Sequence, residues 1–258
     1  MPTVVKRKLK KKNFFKLLGL LIILPILFIS IIDFISWKKD TSEIKKELSK
    51  IHSSIKVKNL VDDNRTTVIE PSVEISKFDR YYNYINMSLI DVDFSALQKI
   101  NSDTIGFIEI KGTDISLPIV FKEDTTYYQT HSFLKKENRF GWPQLISKYN
   151  KDFDDITIIE STNETLKDIK SLFKKEWQQN KNNHIIKFVT KDYTSLWQII
   201  GINKSKENKQ LNTNDIVSNS LYDFKTFITN EDKILILKAY TGKTNYYVYA
   251  KLIKYKTN

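Results

Sequence analysis

The chain has 258 residues, 41% apolar and 28% charged, with a formal net charge of +12, six glycines and no cysteine. That length and apolar content suit one core of moderate size. The missing cysteines exclude disulfides, thiolate nucleophiles, Cys-type zinc sites and iron–sulfur ligation together, and so few glycines argue against a long phosphate loop.

Residues 1–13 read as a basic head. Residues 1–37 carry seven Lys/Arg and one acid, Asp33, which is half of the net charge. Residues 14–32 are then nearly all apolar, long enough to cross a hydrocarbon core as a helix. Pro25 sits mid-span, where a kink is tolerable in lipid. Trp37 marks the outer interface, so 14–37 is read as a single-pass membrane anchor. Six bases precede the span, against Lys38 and Lys39 beyond it. That bias puts the N-terminus in the cytoplasm and the rest of the chain outside. A cleaved signal peptide is the rival reading, but no Ala-x-Ala-like site follows the run. The bases beyond the anchor read as a lysine-rich soluble surface. They lack the aromatic-interleaved pattern of nucleic-acid binders, so no nucleic-acid partner is expected.

Residues 40–55 can form a helix. Asp40 and Glu43 are a plausible cap pair, and Ile44, Leu48, Ile51 and Ile55 fall at helical spacing. Residues 56–77 lose periodicity, so 38–77 is assigned to stalk and linker and 78–258 to the main domain. Residues 78–88 and 94–100 look like short helices. Strands are expected at 105–110 and 115–120 around a Lys111–Gly112–Thr113–Asp114 turn, with Pro118 suggesting an edge or bulge. Another buried strand is expected at 156–159. Residues 161–177 read as a helix with Ser161 and Glu164 at capping-box spacing. Strands follow at 184–190 and 196–202, and a helix at 222–228. A final strand pair spans 233–255, joined by a polar turn at 241–245.

Several stretches resemble class B sortases, the surface transpeptidases of Gram-positive bacteria. The run from Asn101 to Val120 is similar to the opening strands of that family's barrel. Glu123–Asp124–Thr125–Thr126–Tyr127–Tyr128 resembles its acidic-polar turn. Residues 129–133, Gly141 and the closing strand pair continue the likeness, although Trp142–Pro143–Gln144–Leu145 departs from the usual pattern. The resemblance implies a mainly β fold: a mixed, mostly antiparallel β-barrel with peripheral helices, preceded by a transmembrane helix and a helical stalk.

The resemblance also implies where catalysis would lie. The family's cysteine falls at Tyr240, its arginine at Asn245, and its histidine at Thr162, within Glu160–Ser161–Thr162. A sortase needs a thiolate to attack a peptide carbonyl, a histidine to protonate the leaving amine and an arginine to stabilise the oxyanion. Tyrosine has a pKa near 10 and is almost wholly un-ionised at neutral pH. Threonine cannot change charge, and asparagine donates a hydrogen bond without carrying a positive charge. The expectation is an inactive sortase-like protein that binds a sorting-signal peptide or a surface protein. Its candidate groove comprises Tyr127, Tyr128, Tyr240 and Asn245. The alternatives are a cysteine-independent peptidase using Ser161 or Thr162, and a structural part of a surface assembly. His52, His131 and His184 form no metal or triad spacing, so no cofactor or metal is expected.

Overall fold

The computed structural model describes residues 11–69, 83–146, 156–162, 164–180, 182–206, 233–241 and 244–258. The helix expected at 222–228 and residues 78–82 of the one expected at 78–88 lie outside them. Helix α1 (Lys11–Ser54) contains Pro25. Residues 1–43 form one unit and residues 44–258 a second. In the first unit the apolar side chains of α1 are largely exposed. This helix has the length and composition of a membrane span or of a signal sequence.

In the second unit the end of α1 joins the main core. Ile44, Ile51 and Ile55 are buried and Leu48 packs beside them, which is the predicted helical stripe. Glu47 is buried among them but not unpaired. Its carboxylate accepts from Ser132 Oγ at 2.8 Å and from Leu134 N at 3.4 Å. Such pairing keeps a buried carboxylate tolerable. One turn on, His52 Nε2 lies 2.6 Å from Ser116 O.

The segment after α1 is more ordered than its lack of periodicity predicts. It holds β1 (Val57–Asn59) and β2 (Thr66–Val68). Strand β1 pairs antiparallel with β3 (Ile90–Val92). Helix α2 (Phe94–Ile100) follows where expected; Asp93 caps it, Oδ1 accepting from Ala96 N at 3.0 Å.

Eight strands then build the barrel: β4 (Thr104–Ile110), β5 (Ser116–Val120), β6 (Gln144–Leu145), β7 (Ile156–Thr162), β8 (Ile185–Thr190), β9 (Tyr193–Ser205), β10 (Ile234–Thr241) and β11 (Thr244–Thr257). Their order is β10-β7-β6-β5-β4-β8-β9-β11, and β11 pairs back onto β10 to close the ring. Only β5–β6 and β7–β10 are parallel. Period-two alternation sorts the side chains. Leu235, Leu237, Ala239, Val248 and Ala250 join the interior cluster, whereas Ile234, Ile236, Tyr247 and Tyr249 form a separate cluster on the outer face. Register shifts in β11 against β9, at Tyr249/Ala250 and Leu252/Lys254, mark bulges that help the long strands curl. The structure thus has the mainly β, mostly antiparallel barrel expected from the sequence.

Two differences concern the segment after β7. The strand runs on to Thr162. The expected single helix is instead a 3-10 helix (Glu164–Phe173), kinked at Leu166, followed by helix α4 (Lys175–Gln179). Ser161 is therefore a strand residue. Its hydroxyl shares a 2.9 Å hydrogen bond with Thr165 Oγ1.

Buried lysines fasten the N-terminal segment to the barrel. Strand β2 pairs with the end of β11. Beside it Lys254, fully buried, donates to Asp62 Oδ2 at 2.6 Å, Ile85 O at 2.7 Å and Met87 O at 3.2 Å. Lys256 Nζ sits 2.7 Å from Asp63 Oδ2. The hydrogen bond from Lys256, with that from the Arg65 amide, holds the Asp63 carboxyl down from 3.8 to about 2. A folded value below the unfolded one stabilises above pH 3.8, and the gain is lost as pH falls toward 2. The urea midpoint of the native chain is therefore expected to fall more steeply between pH 4 and pH 2 than that of Asp63→Asn. Parallel curves would show that the contact does not couple to folding.

Candidate functional site

Three adjacent strand ends bring the sequence-predicted positions into one row. Tyr240 is the parallel register partner of Thr162 on β7 and the antiparallel partner of Asn245 on β11. Strands lie about 4.8 Å apart, so Thr162 and Asn245 flank Tyr240 with backbones about 10 Å from one another. The next residue inward on β10, Ala239, belongs to the interior cluster, so alternation points Tyr240 to the outer face. Tyr240 is 38% exposed at the rim, whereas Asn245 is buried at 3%. A phenol here is accessible and can donate or accept a hydrogen bond.

One step along the same outer face lies a second row that the sequence reading did not single out. Gln144, Glu160, Lys238 and Tyr247 are successive register partners across β6, β7, β10 and β11. Lys238 Nζ and Glu160 Oε1 are 2.8 Å apart, with side-chain exposures of 12% and 22%. Gln144 Nε2 donates to Thr125 O at 2.6 Å, tying β6 to the polar turn. The signal was available: Lys238 and Glu160 stand two residues before Tyr240 and Thr162, and period two places them on the same face.

The tyrosines of the polar turn are placed elsewhere. Helix α3 (Tyr127–Thr130) carries both. Tyr128 is fully buried; its hydroxyl donates to Asp103 Oδ2 at 2.7 Å and accepts from Asn101 Nδ2 at 2.9 Å. Burial, with the Asp103 carboxylate beside it, pushes the phenol well above its ordinary pKa. Tyr128 is a bracing residue. Tyr127 stacks on His131 at 4.0 Å, with Lys122 Nζ 3.5 Å from its ring centroid. These contacts run to the opening strands and to the turn itself, not to the Tyr240 row. Gly141 completes this corner with φ +60°; a Cβ there would strike Tyr128 O.

The structure bears on the alternative nucleophile. Ser161 is 2% exposed and paired in register with Ala239. Its hydroxyl is buried and shares its hydrogen bond with Thr165 Oγ1. The three histidines are also dispersed. His52 meets Ser116 O, His131 stacks on Tyr127, and His184 is buried against Trp177 at 5.0 Å. None of these contacts brings an imidazole to the Tyr240 row.

No family model matches the sequence, and no curated protein matches it. Solved structures do match. Sortase B from Bacillus anthracis in complex with AAEK1 aligns with a TM-score of 0.60 at 18% identity, over 84% of this chain and 99% of the other. A Staphylococcus aureus sortase B–substrate complex gives 0.53 at 21% identity, over 62% and 84%. A mutant form of Clostridium perfringens sortase B gives 0.51 at 21%, over 62% and 86%. The closed eight-stranded barrel and these alignments together establish that the chain has the class B sortase fold.

Proposed function

We propose that this protein is a membrane-anchored, catalytically inactive sortase-like protein that binds a peptide at the outer face of a Gram-positive-type cell. The observation that carries the proposal is the total absence of cysteine from a chain with this fold. The Thr162–Tyr240–Asn245 row supports it from the chemistry side. At the positions aligned with the family's histidine, cysteine and arginine stand three side chains that cannot ionise usefully at neutral pH. Ground-state binding and transition-state stabilisation are separable, so a groove can keep its ligand after losing its chemistry. One of the similar structures is a sortase B–substrate complex, and a peptide is the ligand class carried over here. The apolar helix and the excess of bases before it support the anchor and its orientation.

The test mixes the full chain in neutral detergent micelles with a panel of sorting-signal peptides. Binding and peptide mass are recorded on the same samples. Saturable binding with intact peptide is the expected result, weakened by Tyr240→Ala. Cleaved or amine-linked peptide that disappears on mutating one residue would overturn inactivity and identify the nucleophile. Absence of both binding and cleavage would overturn peptide recognition and leave a structural role in a surface assembly.

A further inference from the structure

We propose that a cleft at the other end of β11 binds a small organic anion, a carboxylate or phosphate carried on an apolar body. The cleft encloses about 380 Å³, within the usual range for small-ligand sites. Asn245 and Lys256 are eleven residues apart on this strand, about 36 Å at 3.3 Å per residue. The cleft is therefore separate from the Tyr240 row. It stands or falls independently of peptide binding there.

The lining has two parts. Leu60, Val92 and Phe94 supply apolar wall, and Arg65, Lys191 and Lys256 supply positive charge. The cations are incompletely neutralised. Among the described residues Asp63 is the one carboxylate serving both Lys256, at 2.7 Å, and Arg65, at 3.3 Å, and Lys256 also donates to Val61 O at 3.4 Å. The Arg65 contact uses one terminal nitrogen of a guanidinium that carries five N–H donors. Among the described residues the Lys191 ammonium has no carboxylate partner, and Lys191 is exposed at the β8–β9 turn. Asp91 and Asn258 also line the cleft; Asp91 is the register partner of Lys58 on β1, and its single negative charge stands against the three cations.

Partly neutralised cations thus converge on a cleft with an apolar wall. A guanidinium fork and an ammonium favour carboxylate or phosphate oxygens. The wall favours a ligand with a hydrocarbon or aromatic body over a bare ion.

The test titrates the full chain in neutral detergent with phenyl phosphate, benzoate, inorganic phosphate and benzyl alcohol by calorimetry. Phenyl phosphate and benzoate are expected to bind saturably at one site. Inorganic phosphate binds more weakly for want of a body, and benzyl alcohol gives no saturable heat. Arg65→Ala and Lys191→Ala each weaken the aromatic anions about tenfold, the size of one charge-assisted contact. Both side chains are exposed, and circular dichroism checks that the variants keep the fold. Unchanged affinity in the Arg65→Ala/Lys191→Ala double variant would overturn the proposal. So would a lack of saturable binding up to about 10 mM, or binding of benzyl alcohol equal to that of phenyl phosphate.

Discussion

A Tyr240→Cys variant gains a thiol at the end of β10 but no measurable transpeptidation. The position is 38% exposed, so the new cysteine should react with iodoacetamide and show that it is reachable. Reach is not activation. The adjacent Thr162 cannot serve as a general acid, a role typically worth about 10²–10⁴ in rate. The adjacent Asn245 carries no charge for the oxyanion, where a lost stabilising donor costs about 10²–10³. The single variant should therefore remain roughly 10⁴–10⁷-fold below a sortase with all three groups. Mass spectrometry of a sorting-signal peptide incubated with an amine acceptor reads the outcome. Robust turnover by Tyr240→Cys alone would sink the account of three separate losses. The Tyr240→Cys/Thr162→His/Asn245→Arg variant is the matching gain-of-function arm, because the row already places these positions on neighbouring strands.

The second large effect concerns stability. Lys254→Met is expected to lower the unfolding free energy by about 3 kcal/mol, the scale of breaking a buried charged hydrogen-bond cluster. The ammonium is fully buried and its three donors are matched by Asp62, Ile85 O and Met87 O. Methionine fills the space but leaves both carbonyls without that donor. Asp62 is half exposed and recovers water, so its share of the loss is small. Lys191→Met, at an exposed position, should change stability by less than about 0.5 kcal/mol. Urea unfolding of the full chain in micelles compares the two. A drop below about 1 kcal/mol for Lys254→Met would mean that the cluster only orients the segment.

What was legible in the sequence follows from how local each cause is. Strands β4, β5, β8, β10 and β11 show as β-prone runs, because each carries its own interior-facing apolar set. Strand β9 begins three residues before the expected 196. Its polar start, Thr194 and Ser195, is buried, with hydroxyls bonded to Ile90 O and Phe188 O. A polar residue satisfied by a distant carbonyl looks like a turn residue until the fold is known. The strands at 57–59 and 66–68 are three residues long and largely exposed, so no apolar alternation marks them. Lysines on a strand read as solvent-facing, and the acids that meet Lys254 and Lys256 lie far back at Asp62 and Asp63. At Ser161 the capping-box spacing with Glu164 mimics a helix start, whereas β7 continues to Thr162. Within the candidate site, alignment on the closing strands supplied Tyr240 and Asn245. The Lys238–Glu160 pair needed the parallel register of β7 with β10, which no local pattern encodes. Tyr127 and Tyr128 end the stretch that resembles the family's acidic-polar turn, and as aromatics they read as core or groove-lining. The structure gives Tyr128 a bracing role instead.

The parallel pairing of β7 with β10 also dictates an order of events. Residue 162 must await residue 240, and Val68 must await Lys254. Contacts so distant in sequence demand large loop closures before they return any stabilisation, which makes folding slow. A ribosome that has released β4 to β9 has released a curled sheet with raw edges at β7 and β9. Unpaired edges invite association with other chains. Closure falls to β10 and β11, which emerge after every other strand of the barrel, so the ring cannot close before they have left the ribosome. Stalling or clipping the chain before residue 233 would therefore leave an adhesive intermediate, not a smaller folded domain.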